Sequence, residues 1–275
     1  MNNTFDIKRF GLTFRKDLIE NGKRYSLMFL TMLGLLALFL VFYSMSYYNS
    51  KQNLYLKDLL IFLSMFFFVA GVWFASTFTS PMSNKLNRIA WLISPASNLE
   101  KYLVRWIITT IGFILTFFTA LWIADVLRVA ICSAIYPEID VHFIDLTKLV
   151  TTESEYSSEH VMPASVFFFF SSLYLLTQSV FLLGSTYWEK WSFIKTFSFC
   201  AAIIAAFILI CRWTILLFYG EMEGFYRVMN SLEINQKMNE QQALVLVTVI
   251  LSVFTLTFWT LAYFRIKESE IIKRL

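Results

Sequence analysis

Six long stretches of the chain are almost free of charge. Residues 25–50, 59–84, 106–124, 164–188 and 241–264 carry no charged side chain, and 196–220 carries only Arg212. A helix needs roughly 20 mostly apolar residues to cross a bilayer, and in hydrocarbon only a helix or a closed barrel satisfies its own backbone. The pattern predicts an all-α membrane protein with six transmembrane helices, at about 26–47, 59–80, 104–127, 164–187, 196–218 and 243–264. The fifth is the weakest span because Arg212 interrupts it.

The segments between these runs have patterns of their own. In 5–21, Ile7, Phe10, Phe14 and Leu18 fall on one face at helical spacing, with Lys8, Arg9, Arg15 and Lys16 beside or opposite them. A basic amphipathic helix of this kind beds its apolar face at the acyl boundary and meets anionic headgroups with its cations. Packing of the same helix on the protein itself is the alternative. Gly22 is placed to end it before the first span. In the loop 81–102, Leu86, Ile89 and Ile93 share a stripe beside Lys85 and Arg88, Pro95 breaks the pattern, and Ser97 with Glu100 forms an S-x-x-E capping box for the next helix. This reads either as a rigid elbow for passing force to the third span or as an ordinary well-capped connection.

Composition agrees with the run lengths. The 275 residues are 58% hydrophobic and only 15% charged, against about 45–50% and about 25% in soluble domains, so a soluble globular protein is excluded. No cleavable signal peptide is expected, because the first apolar run far exceeds the roughly 7–15 residues of a signal core. The cysteines Cys132, Cys200 and Cys211 form no C-x-x-C pair or Cys/His cluster, so neither a disulfide framework nor a metal site is indicated, and no cofactor is implied.

Lys and Arg set the expected orientation, since cytoplasmic loops accumulate them. Six lie in the N-terminal tail, four between 81 and 105, two in 189–195 and four in the C-terminal tail, against six on the opposite side. Both termini are therefore expected in the cytoplasm. The loop 129–163, with six acidic residues and a lone Lys148, suits the outer face.

Charges inside spans are costly and usually functional or paired. Asp125, Arg128 and Arg212 are expected at similar depth near the outer side. They read as an Asp125–Arg212 pair with Arg128 reaching outward, or as a polar lining for an exit route. The runs Phe66–Phe68 with Trp73, and Phe167–Phe170, could line a greasy path or simply face lipid and neighbouring helices. Gly71, Ala75, Ser76 and Thr79 could allow close helix approach.

The basic N-terminal helix, six spans, the loop "SPASNLEKYLVRW" and the tail "YFRIKESEIIKRL" together resemble the permease subunit of type-2 ATP-binding-cassette exporters. The loop is similar to a Pro-x-Ser-x-x-Glu-Lys pattern after the second span in that family. The resemblance implies a dimer of such subunits in a bacterial cytoplasmic (inner) membrane, each docking a separate cytosolic ATPase through the second loop. On that basis Leu86, Ile89, Trp91, Leu92, Asn98 and Glu100 are the expected ATPase contacts. The long acidic loop and the polar stretch 219–242 depart from the family and leave the cargo open.

Other classes fare less well. The chain has no G-x-x-x-x-G-K-[ST] phosphate loop, so it is not expected to be an enzyme, and nothing in it points to nucleic acid. Ion-coupled transport usually relies on Gly- or Pro-broken helices near the midplane, and no Pro falls in a span core. A non-transporting immunity or sensor partner would share the same layout and is the alternative reading.

Overall fold

The computed structural model describes residues 5–49, 56–80, 89, 91, 93–144, 151–154, 157–161, 164–188, 190–219 and 240–272. Among these, six helices are long and apolar enough to cross a membrane: Gly22–Tyr48, Asp58–Ser76, Asn98–Ile135, Ala164–Tyr187, Ser192–Phe218 and Gln241–Glu268. Ahead of them lies α1 (Ile7–Glu20), capped by Asp6, whose side chain accepts from the Lys8 amide. Only Asn21 separates it from α2 (Gly22–Asn49), which is followed by α3 (Leu56–Ser76).

The third spanning helix begins as α4 (Asn98–Ile107), passes through a π-helical turn at Ile108–Gly112, and continues as α5 (Phe113–Ile135). Its 38 residues extend to roughly 57 Å at 1.5 Å per residue, well beyond the ~30 Å hydrocarbon core. Its charges, Glu100, Lys101 and Arg105 toward one end and Asp125 and Arg128 toward the other, leave only 106–124 uncharged between them, so both ends project.

After α5 the chain forms a two-stranded antiparallel hairpin, β1 (Thr151–Ser154) and β2 (Ser157–Val161), with Thr151 opposite Val161 and Thr152 opposite His160. The all-α expectation thus holds for the spanning part, and the acidic loop adds this hairpin. α6 (Ala164–Tyr187), α7 (Ser192–Tyr219) and α8 (Glu240–Ile272) complete the order. The polar stretch 219–242 lies mostly outside the described residues.

Two packed clusters hold the helices together. Toward the hairpin end, Leu36 and Leu40 of α2 meet Leu59 and Leu63 of α3, Phe113, Phe117 and Leu121 of α5, and Tyr174 of α6. Toward the other end, Val72, Ala75, Phe78 and Tyr102 pack with Phe181 and Leu182 of α6 and with Ala262 and Ile266 of α8. Small residues permit these approaches. A Cβ on Gly71 would come within 2.7 Å of the Tyr174 ring and 3.0 Å of Phe113, so only glycine lets α3 pass α6 at this point. Ala75 is fully buried, and the Thr79 hydroxyl donates to the Ser185 carbonyl at 2.6 Å. Gly184 allows α6 to meet Thr196 of α7 in the same way, as a Cβ there would lie 2.6 Å from the Thr196 methyl.

The aromatic runs divide. Phe67 packs on Phe113, Phe117 and Tyr174 between helices. Phe167, Phe168, Phe170 and Trp73 instead lie more than half exposed on the outer surface of the bundle.

Candidate functional site

The charged residues at the start of α4 turn inward. Ser97 caps the helix by accepting from the Glu100 amide, and the Glu100 carboxylate accepts from the Ser97 amide at 2.9 Å, completing the expected capping box. The same carboxylate accepts from the Asp6 amide at 2.8 Å and pairs with Arg9 at 3.2 Å. Two turns of α1 further on, Asp17 faces Arg105 at 3.3 Å. Tyr25 closes this second contact: its hydroxyl donates to Asp17 at 2.8 Å and accepts from Arg105 Nη1 at 2.7 Å. Asn21 donates to the Asp17 carboxylate as well. Glu100 is fully buried, and Asp17 and Arg105 are nearly so.

The N-terminal helix is therefore fastened to the elbow by its polar face. Arg9 and Asp17, two turns apart, meet Glu100 and Arg105 of α4, while Ile7 and Leu18 of the expected apolar stripe are exposed and Phe10 and Phe14 are half-buried. Docking on the protein and presentation of an apolar face are both realised, on different sides of one helix. A contact between buried charges of opposite sign is strong only where each is also hydrogen-bonded, and Glu100 meets that condition with two amides and a guanidinium.

This geometry alters the expected docking set. Glu100 is sealed between α1 and α4, so it holds the elbow together and offers no surface to another chain. Asn98 and Trp91 are half-buried, with Lys101 lying 6.0 Å from the Trp91 ring. Ile89 is exposed, as are Ile93 and Leu99, which sequence reasoning had not placed in the set. Leu86 and Leu92 lie outside the described residues.

The same end of the bundle gathers other basic segments. The Tyr102 hydroxyl donates to the Trp259 carbonyl at 2.9 Å, tying α4 to α8. The Arg265 guanidinium sits 4.8 Å over the Tyr187 ring, tying α8 to the end of α6.

At the far end, the expected Asp125–Arg212 pair does not form. Arg128 is one turn from Asp125 on the same helix and reaches it first, at 2.6 Å. Arg128 does not extend outward either: it is fully buried and donates to the His142 carbonyl at 2.6 Å, while Asp125 accepts from the Ile144 amide at 2.9 Å. The pair staples residues 142–144 over the end of α5. Arg212 lies exposed on α7.

A polar contact that sequence reasoning missed lies at the π-helical turn. The Gln178 amide donates to the Thr110 hydroxyl at 2.8 Å, and Gln178 is fully buried beside the equally buried Ser179 on α6. Its Oε1 and the nearby Tyr174 hydroxyl have no hydrogen-bond partner among the described residues. The one glutamine in the run 164–188 was the available signal. Gln178→Leu is expected to change stability by no more than about 1 kcal/mol, because the lost bond is offset by removal of an unpaired buried oxygen. Unfolding in mixed detergent micelles checks this, and a loss several times larger would show that the contact pins the turn.

Comparison with family models, with curated proteins and with solved structures finds no match to this chain.

Proposed function

We propose that this chain is the membrane-spanning subunit of an ATP-driven exporter resembling the type-2 ATP-binding-cassette class, working as a dimer in a bacterial cytoplasmic membrane. The observation that carries the reading is the elbow. Exposed apolar side chains, Ile89, Ile93 and Leu99, sit on a corner whose mounting is a capped helix locked by buried ion contacts. A corner built in this way transmits a push without bending, and exposed apolar side chains on it are what a soluble partner would cover.

The remaining features are consistent with that role. The chain carries no phosphate-loop motif, so nucleotide would be hydrolysed by a separate cytosolic ATPase. The N-terminal helix, the elbow and the end of α8 lie together, and their richness in Lys and Arg supports a cytoplasmic position for that end. α1 lies on the membrane surface there, with its apolar side chains toward the acyl boundary. α7, with few buried residues along its length, faces lipid or the second subunit.

The reading is tested by expressing the tagged chain in its native cells and asking whether a cytosolic ATPase with a phosphate-loop motif co-purifies. The wild-type pair is expected to elute together, and Ile93→Glu or Ile89→Glu to lower the affinity by at least about tenfold while leaving the permease folded. Undiminished co-purification of both variants would remove the docking assignment.

A further inference from the structure

The polar seam takes up Arg9 and Asp17 of α1 and leaves its other cations outside. Asp6 caps the helix, Asp17 faces Arg105, and the exposed Glu20 is within 3.7 Å of Lys16. On the outer arc, Lys8 and Arg15 stand two turns apart with Lys16 nearby, all exposed. Apolar side chains flank that line on both edges: Ile7 and Leu18 on one, 75% and 41% exposed, and Leu12 and Ile19 on the other, 67% and 70% exposed. Water alone disfavours the apolar edges, and acyl chains alone disfavour the cations. The layer where lipid phosphates meet acyl chains accommodates both. Because only Asn21 separates α1 from the first spanning helix, the arc lies where that helix leaves the bilayer.

We propose that the Lys8–Arg15–Lys16 arc binds the phosphate groups of anionic lipids, and that this binding clamps the elbow. The proposal rests on the reading of α1 as a membrane-surface helix and adds which cations hold the headgroups and what that binding does to the elbow. The clamp follows from the seam. Glu100 and Arg105 sit at the two ends of the stretch of α4 that α1 covers, each meeting a charge on α1. Lifting α1 off the surface strands both, and holding α1 down keeps both in place. The anionic lipid content of the membrane thus sets how firmly the elbow is held.

Hydrogen exchange of the full chain in lipid nanodiscs tests this. With about one-third phosphatidylglycerol in phosphatidylcholine, amides of 7–20 and of 97–102 are expected to exchange about tenfold more slowly than in phosphatidylcholine alone. The triple variant Lys8→Gln/Arg15→Gln/Lys16→Gln, confined to exposed positions, should abolish that difference in both segments. Exchange that ignores lipid charge, or a response in 7–20 that never reaches 97–102, overturns the proposal. So does equal slowing by inorganic phosphate in phosphatidylcholine discs, which marks a free-anion site. Slowing only when the ATPase is added overturns it in favour of an acidic protein surface. The surface-helix reading is checked separately, by quenching of the extra emission of Leu12→Trp with brominated acyl chains. Quenching without any headgroup dependence leaves that reading standing and removes only the clamp.

Discussion

Arg105→Ala is expected to cost about 3 kcal/mol, because it removes the cation in contact with the buried Asp17 carboxylate and leaves only the more distant field of Arg24 to act on it. Tyr25 and Asn21 would still donate to Asp17, but hydrogen bonds from neutral groups do not replace a charge in a site closed to water. In a chain of this size the loss corresponds to a fall in Tm on the order of 10 °C, read by thermal unfolding of the purified protein in detergent. The penalty belongs to the stranded ion more than to the lost attraction. Asp17→Asn/Arg105→Met, which removes both charges, should therefore recover most of the stability. If Arg105→Ala melts within about 1 °C of wild type, the seam does not hold α1 to the elbow.

Gly71→Leu is the second large effect. The first carbon added already falls 2.7 Å from the Tyr174 ring and 3.0 Å from Phe113. Both rings are buried, and Phe113 has no room to retreat among Phe67, Phe74 and Phe117. Overpacking of this kind costs about 1–3 kcal/mol, and the upper end is expected here because α3 and α6 must move apart. Gly34 supplies the control: a Cβ there meets nothing within 4 Å, so Gly34→Ala should be neutral or stabilise by up to about 1 kcal/mol through helix propensity. A double-mutant cycle with Tyr174→Ala should show favourable coupling of about 0.5–3 kcal/mol, since the smaller partner makes space for the leucine. Independent, additive losses would mean that the two residues do not oppose each other.

The comparison of Glu100 with Ile93 shows what pattern reading can and cannot do at the elbow. The S-x-x-E spacing correctly announced a capping box, because that motif is local: three residues bring the carboxylate to the amide it must satisfy. The spacing carried no information on Asp6 and Arg9, more than ninety positions away, which occupy the rest of that carboxylate. Glu100 was consequently expected on the surface, and Ile93 was read only as part of the loop's apolar stripe although it is 73% exposed. The pairing of Asp125 failed for a related reason. Equal depth made Arg212 a plausible partner, but Arg128 is one turn away on the same helix and meets Asp125 at no cost in chain closure.

What the sequence determined by itself is the number of helices long and apolar enough to span a membrane and the stretch of chain in which each lies. Uncharged runs of this length leave hydrocarbon as the only medium that suits them, and a helix as the form that satisfies their backbone. The Ser97–Glu100 capping box follows from the same short-range rules, whereas Gly22, expected to end the first helix, opens α2 instead, with Asn21 as the cap. Only the tertiary structure decided which face of α1 meets the protein, which elbow charges are spent internally, and where Gln178 finds Thr110. Each of those outcomes depends on a partner distant in the chain. In a bundle whose spans are almost uniformly apolar, hydrophobic periodicity cannot choose among neighbours. The choice falls to a few glycines that allow contact and a few buried polar groups that require it.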